Sequence, residues 1–428
     1  MELAWQPGRA DIGVRNGLIT KIGQRGECLA SLIQFGRSAD QRRGAVMTLS
    51  EEIRKVYADE EASGRLPKTL ADVPHGYERI TPEWMTQVMC RNVPGAHVTR
   101  LELGEASSGS SNRQRIFLDY DIAGLAAGLP RSVFCKGSMV LANRLLLGTT
   151  RCARGEATFF NKIRPRVPIQ VPTPIHAAYD ERTYGYIVVM EDLTGIAQFC
   201  DETTSVDFER AADMVRLLAN LHAPFYESAE LGTSTVPYMQ WSDWWLSQME
   251  VSPDYGESCD RGFEAARHVI PARLFQRRAE IWPRTMESCE LHRTLPRCLI
   301  HCDTHLKNWF VLNGRSGLCD WQVVNIGHWS RDFIYAMSTA LTIENRRKWL
   351  PDLLEMYLET MAEKGVPKVS ADEALTYCRQ QLLSVLAFWT ITLRPAKGMP
   401  PMQPDATSLC FLERISAAMD DLDALDSF

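Results

Sequence analysis

The chain has 428 residues, of which 45% are hydrophobic and 23% charged, with a formal net charge of −6. This length allows two domains or lobes around a sizeable core, while the negative charge argues against a nucleic-acid binder. No apolar stretch approaches the roughly 18 residues needed to span a bilayer, and no apolar signal-peptide core is present. Twelve scattered cysteines without a C-x-x-C pair are typical of reduced thiols. We therefore expect a soluble cytoplasmic protein without nucleic-acid or membrane partners.

Residues 1–46 differ in composition from the rest, being rich in glycine and arginine with little sustained periodicity. Two interpretations stay open: a poorly ordered extension, or a small hairpin over residues 11–22 that turns at Asn16-Gly17. No function is assigned to this segment. A first helix is expected to follow it, with Ser50 as its N-cap.

A loop of small polar residues, 105–112, separates two predicted strands at residues 98–104 and 113–120. Kinase lobes use such a strand-loop-strand unit to fold backbone N–H groups over a triphosphate. The loop is not a G-x-G-x-x-G sequence, so taken alone it is better explained as an ordinary hairpin loop. Its position in the chain makes three residues candidates for phosphate binding: Ser108, Gly109 and Ser110.

A lysine and a glutamate twenty residues apart form the next candidate pair. Lys136 ends a predicted strand at residues 132–136, and Glu156 lies on the polar side of an amphipathic segment. A lysine placed in this way pairs with the α- and β-phosphates of a nucleotide when a helical glutamate holds it. For an arbitrary Lys/Glu pair, solvated surface charges would be the ordinary explanation.

Two further strands are predicted at residues 174–179 and 186–190, and the second runs directly into Glu191, Asp192 and Leu193. Beyond this point the chain shows apolar residues at helical spacing. Long helices are predicted at residues 208–222, 343–364, 371–393 and 409–422.

The most informative stretch is residues 299–310, where His301, Asp303, His305 and Asn308 lie between apolar residues. A hairpin turn at residues 313–317, with two glycines available for positive φ, then leads to Asp320. Phosphoryl transfer needs one carboxylate for the attacking hydroxyl group, and an asparagine and a second aspartate for a metal ion. Asp303, Asn308 and Asp320 fit these roles in that order.

A metal site and a thiol nucleophile are also compatible with this stretch. His301, Asp303 and His305 at alternate positions could be metal ligands, and Cys302 could be a nucleophile. Neither kind of site requires Lys136, Glu156 or an aspartate after a hairpin, so the order of features along the chain favours phosphoryl transfer.

The stretch resembles the H-G-D-x-H-x-x-N motif and following aspartate of the aminoglycoside phosphotransferase and choline kinase-like family. Cys302 stands where that family usually has glycine, and residues 218–223 resemble its Leu-Ala-x-Leu-His element. The resemblance implies an α+β, two-lobed protein-kinase-like fold, with an antiparallel sheet and helix in the N-lobe and a mainly helical C-lobe. The expected parts are an N-terminal extension (1–46), a nucleotide-binding lobe (47–193) and a lobe with the catalytic loop and acceptor pocket (194–428).

The resemblance also implies which residues bind the nucleotide, expected to be ATP with GTP as the alternative. Lys136, held by Glu156, would neutralise the α- and β-phosphates, so the functional interpretation of this pair is preferred. Glu191 to Leu193 would form the hinge whose main chain recognises adenine. Asn308 and Asp320 would hold Mg²⁺.

For the chemistry, the resemblance implies transfer of a phosphoryl group to a hydroxyl group of a small molecule, with Asp303 as catalytic base. His301 and His305 would brace the loop, with His305 near the phosphate. Asp332 would hydrogen-bond the backbone of the catalytic loop. A catalytically inactive nucleotide-binding regulatory protein of the same fold is the alternative function.

Two features stay undecided at the level of sequence. His222 is expected to pack in the core and to bond to backbone. The aromatic segment 241–245 either lines an acceptor pocket or packs helices together, and the acceptor itself is not identified.

Overall fold

The computed structural model describes residues 47–428, so both interpretations of residues 1–46 lie outside the described residues. Residues Glu52–Phe428 form one unit. The first described helix, α1, spans Leu49–Ser63. Its cap is Thr48, not Ser50, because Thr48 and Glu51 bond to each other's backbone N–H groups in a capping box, at 2.8 and 3.3 Å. The expected Ser50 cap is therefore wrong.

Five antiparallel strands form the sheet of the first half, side by side in the order β1-β2-β3-β5-β4. These strands are β1 Val98–Ser108, β2 Asn112–Tyr120, β3 Ser132–Gly137, β4 Pro174–Asp180 and β5 Gly185–Glu191. Alternation of buried and more exposed residues along β2 reflects a sheet with one face in the core. The strand predictions for this region are confirmed, except that β1 continues to Ser108 and β2 begins at Asn112, so the predicted loop 105–112 is reduced to residues 109–111.

Short helices surround this sheet: α2 Pro82–Met89, α3 Ile122–Ala126, α4 Leu141–Thr149 and α5 Cys152–Thr158. Helix α2 begins where Thr81 accepts a hydrogen bond from the Trp84 backbone and Pro82 occupies the first helical position. Its buried residues pack with one face of the sheet into a separate small core. The opposite side of the sheet joins the main core through α5 and β5.

The second half is mainly helical. Its helices are α6 Phe208–His222, α7 Trp241–Val251, α8 Tyr255–Ala265, α9 Ala272–Gln276, α10 Ile281–His292, α11 Ser330–Ala340, α12 Ile343–Glu363, α13 Ala371–Leu393 and α14 Asp405–Asp421. The predicted long helices are confirmed, although α14 begins four residues earlier than expected. None of the helices within residues 47–428 is both long and apolar enough to cross a membrane.

Short strands in the second half position the catalytic loop: β6 Gln198–Phe199, β7 Cys298–Ile300, β8 Trp309–Leu312, β9 Arg315–Leu318 and β10 Asn325–Gly327. The predicted hairpin joins β8 to β9 through a two-residue turn. Asn313 and Gly314 carry its positive φ angles, of 53° and 74°, whereas Gly317 lies within β9. The turn is therefore tighter than predicted, and only one of the two glycines is used in it.

This architecture confirms the predicted fold class, an α+β, protein-kinase-like fold with an antiparallel sheet and helix before a mainly helical part. Division of the unit at residues 193 and 194 into two lobes stays a prediction. The eleven cysteines among residues 47–428 are free thiols, and eight of them are buried.

Candidate active site

Three charged side chains from distant parts of the chain meet beside β3, the central strand of the sheet. Strand β3 carries Lys136 and helix α5 carries Glu156, while Asp320 follows β9. The Lys136 Nζ atom lies 2.8 Å from Glu156 Oε1 and 2.8 Å from Asp320 Oδ1. Glu156 Oε1 also accepts a hydrogen bond of 3.1 Å from the Trp321 backbone, which ties α5 to the segment after β9.

The opposite charges in this cluster offset the energetic cost of burying each of them. Burial alone would raise the pKa of Asp320, but the positive charges of Lys136 and Arg113 lower that pKa to about 2. Burial would lower the pKa of Lys136, and the carboxylates of Asp320 and Glu156 raise it instead. The pKa of Glu156 is raised, mainly by its burial. Lys136 and Asp320 are therefore a charged pair at neutral pH.

Arg113, the first arginine of β2, adds a second positive charge to this cluster. Its Nη2 atom lies 3.8 Å from Asp320 Oδ2, and its side chain lines the same cavity as Lys136. The sequence interpretation did not include Arg113, because an arginine directly after a small-residue loop belongs to no recognised motif.

The catalytic-loop aspartate, Asp303, is held by a hydroxyl and an amide. Tyr335 donates its hydroxyl hydrogen bond to Asp303 Oδ1 at 3.0 Å, and Asn308 Nδ2 lies 3.3 Å from Oδ2. His305 Nε2 lies 3.6 Å from the same Oδ2. Burial would raise the pKa of Asp303, but the neighbouring histidines, His305 above all, outweigh it and lower that pKa. The carboxylate is therefore ionised at neutral pH.

The β8–β9 hairpin brings Asn308 next to Asp320. Trp309 pairs with Leu318 in this hairpin, and the Cys319 backbone donates to the Asn308 carbonyl at 2.8 Å. The amide nitrogen of Asn308 donates to the Asp303 carbonyl at 2.8 Å. Its Oδ1 atom accepts no hydrogen bond from any group of residues 47–428 and remains available as a ligand.

Asp332 holds the backbone of the catalytic loop, as expected. Its carboxylate accepts hydrogen bonds from the N–H groups of His301 and Cys302, at 2.6 and 2.8 Å. His222 is buried, as expected, but it bonds to the side chains of Asp332 and Tyr357, at 3.1 and 2.7 Å, and not to backbone. The two oxygens of a carboxylate can together accept hydrogen bonds from the two loop N–H groups and from a third donor. Asp332 can therefore also bind the His222 ring, so the histidine needs no backbone partner.

Cys302 occupies a backbone conformation that favours glycine. Its φ is 68°, in the left-handed region, and the family pattern has glycine at this position. Two hydrogen bonds compensate, one from its N–H to Asp332 and one from Arg331 to its carbonyl at 3.2 Å. The departure from the family pattern therefore leaves the loop conformation intact.

The geometry removes the metal-site and thiol hypotheses. His301 uses both ring nitrogens, one near the Cys319 carbonyl at 3.0 Å and one near the Asp303 N–H at 3.2 Å. No group of three or more His, Cys, Asp or Glu residues within 47–428 is arranged to hold a metal ion. Cys302 is fully buried, and burial raises the pKa of its thiol well above the usual value. It is therefore no activated nucleophile.

The residues predicted for catalysis, for the metal ion and for phosphate binding line one cavity of about 690 Å³, including His305, Ser108 at the end of β1, and the loop residues Gly109 and Ser110. The Ser110 hydroxyl lies 3.1 Å from Gln322 Oε1, just beyond Asp320. Asn143 at the start of α4 donates to the Gly109 carbonyl at 2.7 Å. These two bonds fix the small-residue loop over the charged cluster.

The segment after β5 lines the cavity at Glu191 and Leu193. The Glu191 N–H donates to the Thr173 carbonyl at 3.0 Å, and its carboxylate accepts from the Thr173 N–H at 2.7 Å. Asp192 instead turns back to the sheet and accepts hydrogen bonds from Arg115 and Ser132, each at 2.6 Å. Leu193 lines the cavity, and among the described residues no group accepts a hydrogen bond from its N–H.

The aromatic segment 241–245 both lines the cavity and packs helices together, and its contact with an acceptor stays a prediction. Trp244 lines the cavity, and its indole N–H donates to the Thr150 carbonyl at 2.9 Å. Trp245 is fully buried, and Trp241 packs against the Arg331 guanidinium. The sequence interpretation missed Tyr335 and the cavity residues of α13, because nothing in a helical pattern marks the side that faces a cavity.

Comparison with known proteins yields one family. The sequence model of the phosphotransferase enzyme family matches residues 135–366, more than half of the chain. No curated protein that was searched matches the chain.

Solved structures with a similar fold include kinases of small molecules. An ethanolamine kinase of Plasmodium vivax aligns with a TM-score of 0.44 and 9% identity, covering 76% of this chain and 83% of that one. A choline kinase of Streptococcus pneumoniae aligns with a TM-score of 0.41 and 12% identity, covering 77% and 94%. A spectinomycin phosphotransferase aligns with a TM-score of 0.43 and 13% identity, covering 79% and 97%. At these scores the likenesses add nothing to the family match.

Proposed function

Because the chain belongs to the phosphotransferase enzyme family, we propose that it moves the γ-phosphoryl group of ATP to a hydroxyl group of a small molecule. The observation that carries this proposal is the meeting of Lys136, Asp320 and Asp303 in one cavity. These residues come from β3 and from the two ends of the β8–β9 hairpin region. They are the groups that phosphoryl transfer requires, namely a cation, a metal-binding carboxylate and a carboxylate for the hydroxyl group.

The nucleotide would lie between the sheet and the hairpin, with GTP as the alternative to ATP. Lys136, held at 2.8 Å by Glu156, would neutralise phosphate charge, and Arg113 extends the same positive surface. Backbone groups of Ser108, Gly109 and Ser110 would cover the phosphates. The free Leu193 N–H is a hydrogen-bond donor for the base.

Asn308 and Asp320 would hold Mg²⁺, and their donor atoms fit this ion. Mg²⁺ in such sites takes one or two protein oxygens and completes its shell with phosphate and water oxygens. The adjacent Asp320 carboxylate and the free Asn308 Oδ1 are two such oxygens. The ion, when bound, supplies positive charge to the β- and γ-phosphates.

Asp303 would orient the acceptor hydroxyl group and take its proton. The hydroxyl oxygen forms a bond to the γ-phosphorus, the bond to the bridging β–γ oxygen breaks, and ADP leaves. The lowered pKa of Asp303 keeps the carboxylate ionised before the reaction. Tyr335 and Asn308 hold that carboxylate in place, and the nearby His305 would face the transferred phosphate.

Thermal unfolding with and without Mg-ATP tests this proposal. At about a hundred times its Kd, a ligand that binds only the folded state stabilises it by roughly 2.7 kcal/mol. We expect a magnesium-dependent shift of this size in the wild type and its loss in Asp320→Ala. The control is Asp59→Ala, which removes an exposed carboxylate of α1.

The outcomes separate the two candidate functions. A shift that is absent in the wild type, or equally large in Asp320→Ala, would contradict the proposed site. A normal shift without ADP release for any hydroxyl acceptor would favour the alternative, a nucleotide-binding regulatory protein that has lost turnover.

A further inference from the structure

The side of the cavity beyond Asp303 is formed by different elements from the nucleotide side. The His305 ring, next to Asp303, lies 5.3 Å from the Trp389 ring on α13, measured between ring centres. From there the wall continues over α7, α8, α13 and the loop that follows α13. We call this wall the acceptor end and define it by six residues: Trp244, Tyr255, Phe388, Trp389, Ile391 and Met399.

The acceptor end is a largely buried and continuous apolar surface. Trp244, Tyr255, Trp389 and Ile391 are each less than 10% exposed. The Trp244 and Phe388 rings lie 6.2 Å apart and are tilted, so α7 and α13 share one aromatic surface. Buried aromatic side chains that line a cavity bind apolar ligands by removing both surfaces from water.

The polar side chains at this end are neutral and largely satisfied by their own helices. Gln248 Nε2 donates to the Trp244 carbonyl at 3.1 Å, and the Thr392 hydroxyl donates to the Phe388 carbonyl at 2.8 Å. Gln403, in the loop after α13, is also uncharged. These groups carry no charge, and the cavity residue Lys307, which follows His305 in the chain, is paired with Glu202 at 3.5 Å.

Carboxylates that could attract a cationic acceptor lie outside the acceptor end and are already paired. Asp254, next to Tyr255, contacts Arg261 at 3.0 Å, and Asp405 contacts Arg394 at 3.0 Å. Of the described residues that line the whole cavity, the acidic ones are Glu156, Glu191, Asp303 and Asp320, which all belong to the hinge and the catalytic cluster. A polycationic acceptor would therefore lose its hydration without gaining an ionic partner at the acceptor end.

A buried cation already lies behind this aromatic surface. The Arg331 guanidinium carbon lies 3.6 Å from the centre of the Trp241 ring and 5.4 Å from that of Phe388. Its nitrogens bond to the neutral Ser384 hydroxyl and Cys302 carbonyl, at 2.5 and 3.2 Å. Because Arg331 already lies over the ring of Phe388, which lines the cavity, a second cation against that ring would be repelled.

We infer that the acceptor is a bulky, uncharged and largely apolar alcohol, whose hydroxyl group meets Asp303 while its hydrocarbon body covers the acceptor end. This inference rests on the proposed phosphotransfer and adds the substrate class. A quaternary ammonium alcohol held by aromatic rings is the competing class, and the buried Arg331 disfavours it.

Acceptor panels with ATP test the inference directly. The neutral probes are testosterone and the primary alcohols hexanol, octanol and decanol, and the cationic probes are choline and kanamycin. ADP release gives kcat/KM, and calorimetry of each probe with the Mg-ADP-bound protein gives binding without turnover. We expect kcat/KM to rise about fourfold for each added methylene group until the cavity is filled. The cationic probes should neither bind nor accept phosphate.

A matched pair of variants on α13 gives a second, independent test. Thr392→Glu places a carboxylate in the cavity wall, and Thr392→Gln places a neutral side chain of the same size there. Relative to Thr392→Gln, we expect Thr392→Glu to lower kcat/KM for decanol at least tenfold and to raise choline binding. Both variants should keep the Mg-ATP thermal shift, because Thr392 is not part of the charged cluster of Lys136, Glu156 and Asp320. We call the part of the cavity around this cluster the nucleotide end.

Each result has a defined meaning. Tighter binding or faster phosphorylation of choline or kanamycin than of the neutral alcohols would overturn the inference while leaving the proposed phosphotransfer intact. The same holds if Mg-ATP binds and every neutral probe fails to bind, or if the two Thr392 variants behave alike. Absence of Mg-ATP binding would instead refute the proposed function itself.

Discussion

At the nucleotide end of the cavity, Lys136 lies 2.8 Å from each of two carboxylates, whereas the acceptor end is lined by uncharged aromatic and aliphatic side chains. The charged cluster depends on complementary partners, because a buried charge without its partner is strongly destabilising. Apolar residues of similar volume can replace one another at much lower cost. At the nucleotide end, only particular residue types can therefore be substituted without a large loss of stability. At the acceptor end, a substitution needs mainly to keep the volume and the apolar character of the side chain.

This difference explains why the residues that match the family motif lie in the charged part of the cavity. The motif residues Asp303, Asn308 and Asp320 lie at the charged end, as does Lys136. The residues of the acceptor end belong to α7, α8 and α13 and to the loop after α13. Apart from Trp244 in the aromatic segment 241–245, no sequence pattern distinguished them from ordinary core.

The largest expected effect is at Asp303, where the two ends meet. Asp303→Asn keeps the shape of the side chain but removes the proton acceptor, so we expect kcat to fall by about 10² to 10⁴-fold. Measurement of ADP release with an accepted alcohol gives kcat, and the Mg-ATP thermal shift gives nucleotide binding. The shift should persist in the variant. Near-wild-type turnover would show that Asp303 is not the base.

A second prediction compares the stability of the two ends. Lys136→Met leaves Glu156 and Asp320 without their shared cation, and we expect the free energy of unfolding to fall by about 3 kcal/mol or more. Met399→Leu at the acceptor end keeps the volume and apolar character, and should cost less than about 1.5 kcal/mol. Urea unfolding without nucleotide measures both values. Equal losses in the free energy of unfolding would contradict the view that the charged cluster tolerates substitution less well than the acceptor end.

The smallest expected effect is the change with pH in the stabilisation that Asp192, directly after β5, gives to the fold. Burial would raise the pKa of Asp192, but hydrogen bonds from Ser132, Thr194 and Arg115 lower it to about 2, below the usual 3.8. Because the folded-state pKa is lowered, the stabilisation by Asp192 is complete above about pH 4 and is lost as the pH falls towards 2.

Asp192→Asn tests this pH dependence by urea unfolding at about pH 6 and about pH 2.5. The stability difference between the wild type and the variant should shrink by about 1 to 2 kcal/mol at the lower pH, allowing for solvent screening near the cavity. A difference that stays constant with pH would show that Asp192 is not held as an ionised acceptor.

Most secondary structure could be predicted because its causes are local. Alternation of apolar and polar residues predicts β1 and β3, and helical spacing of apolar residues predicts α6, α12 and α13. The errors are at element ends, where one side chain decides the boundary. Thr48 forms the capping box in place of Ser50, and Asn313 takes a positive φ that was assigned to a second glycine. Such choices depend on hydrogen bonds and dihedral angles that several neighbouring residues could have provided.

By itself, the sequence determined the fold class, the family and the residues proposed for the reaction. A kinase-like site for phosphoryl transfer uses a lysine, two aspartates and an asparagine, and these residue types can be recognised by their order along the chain. Only the tertiary structure decided which hydrophobic side chains meet beyond Asp303. Trp244 and Trp389 are 145 positions apart in the chain, yet both line the same cavity. Apolar packing is not directional, so a helical pattern shows that a residue is buried but not what it faces.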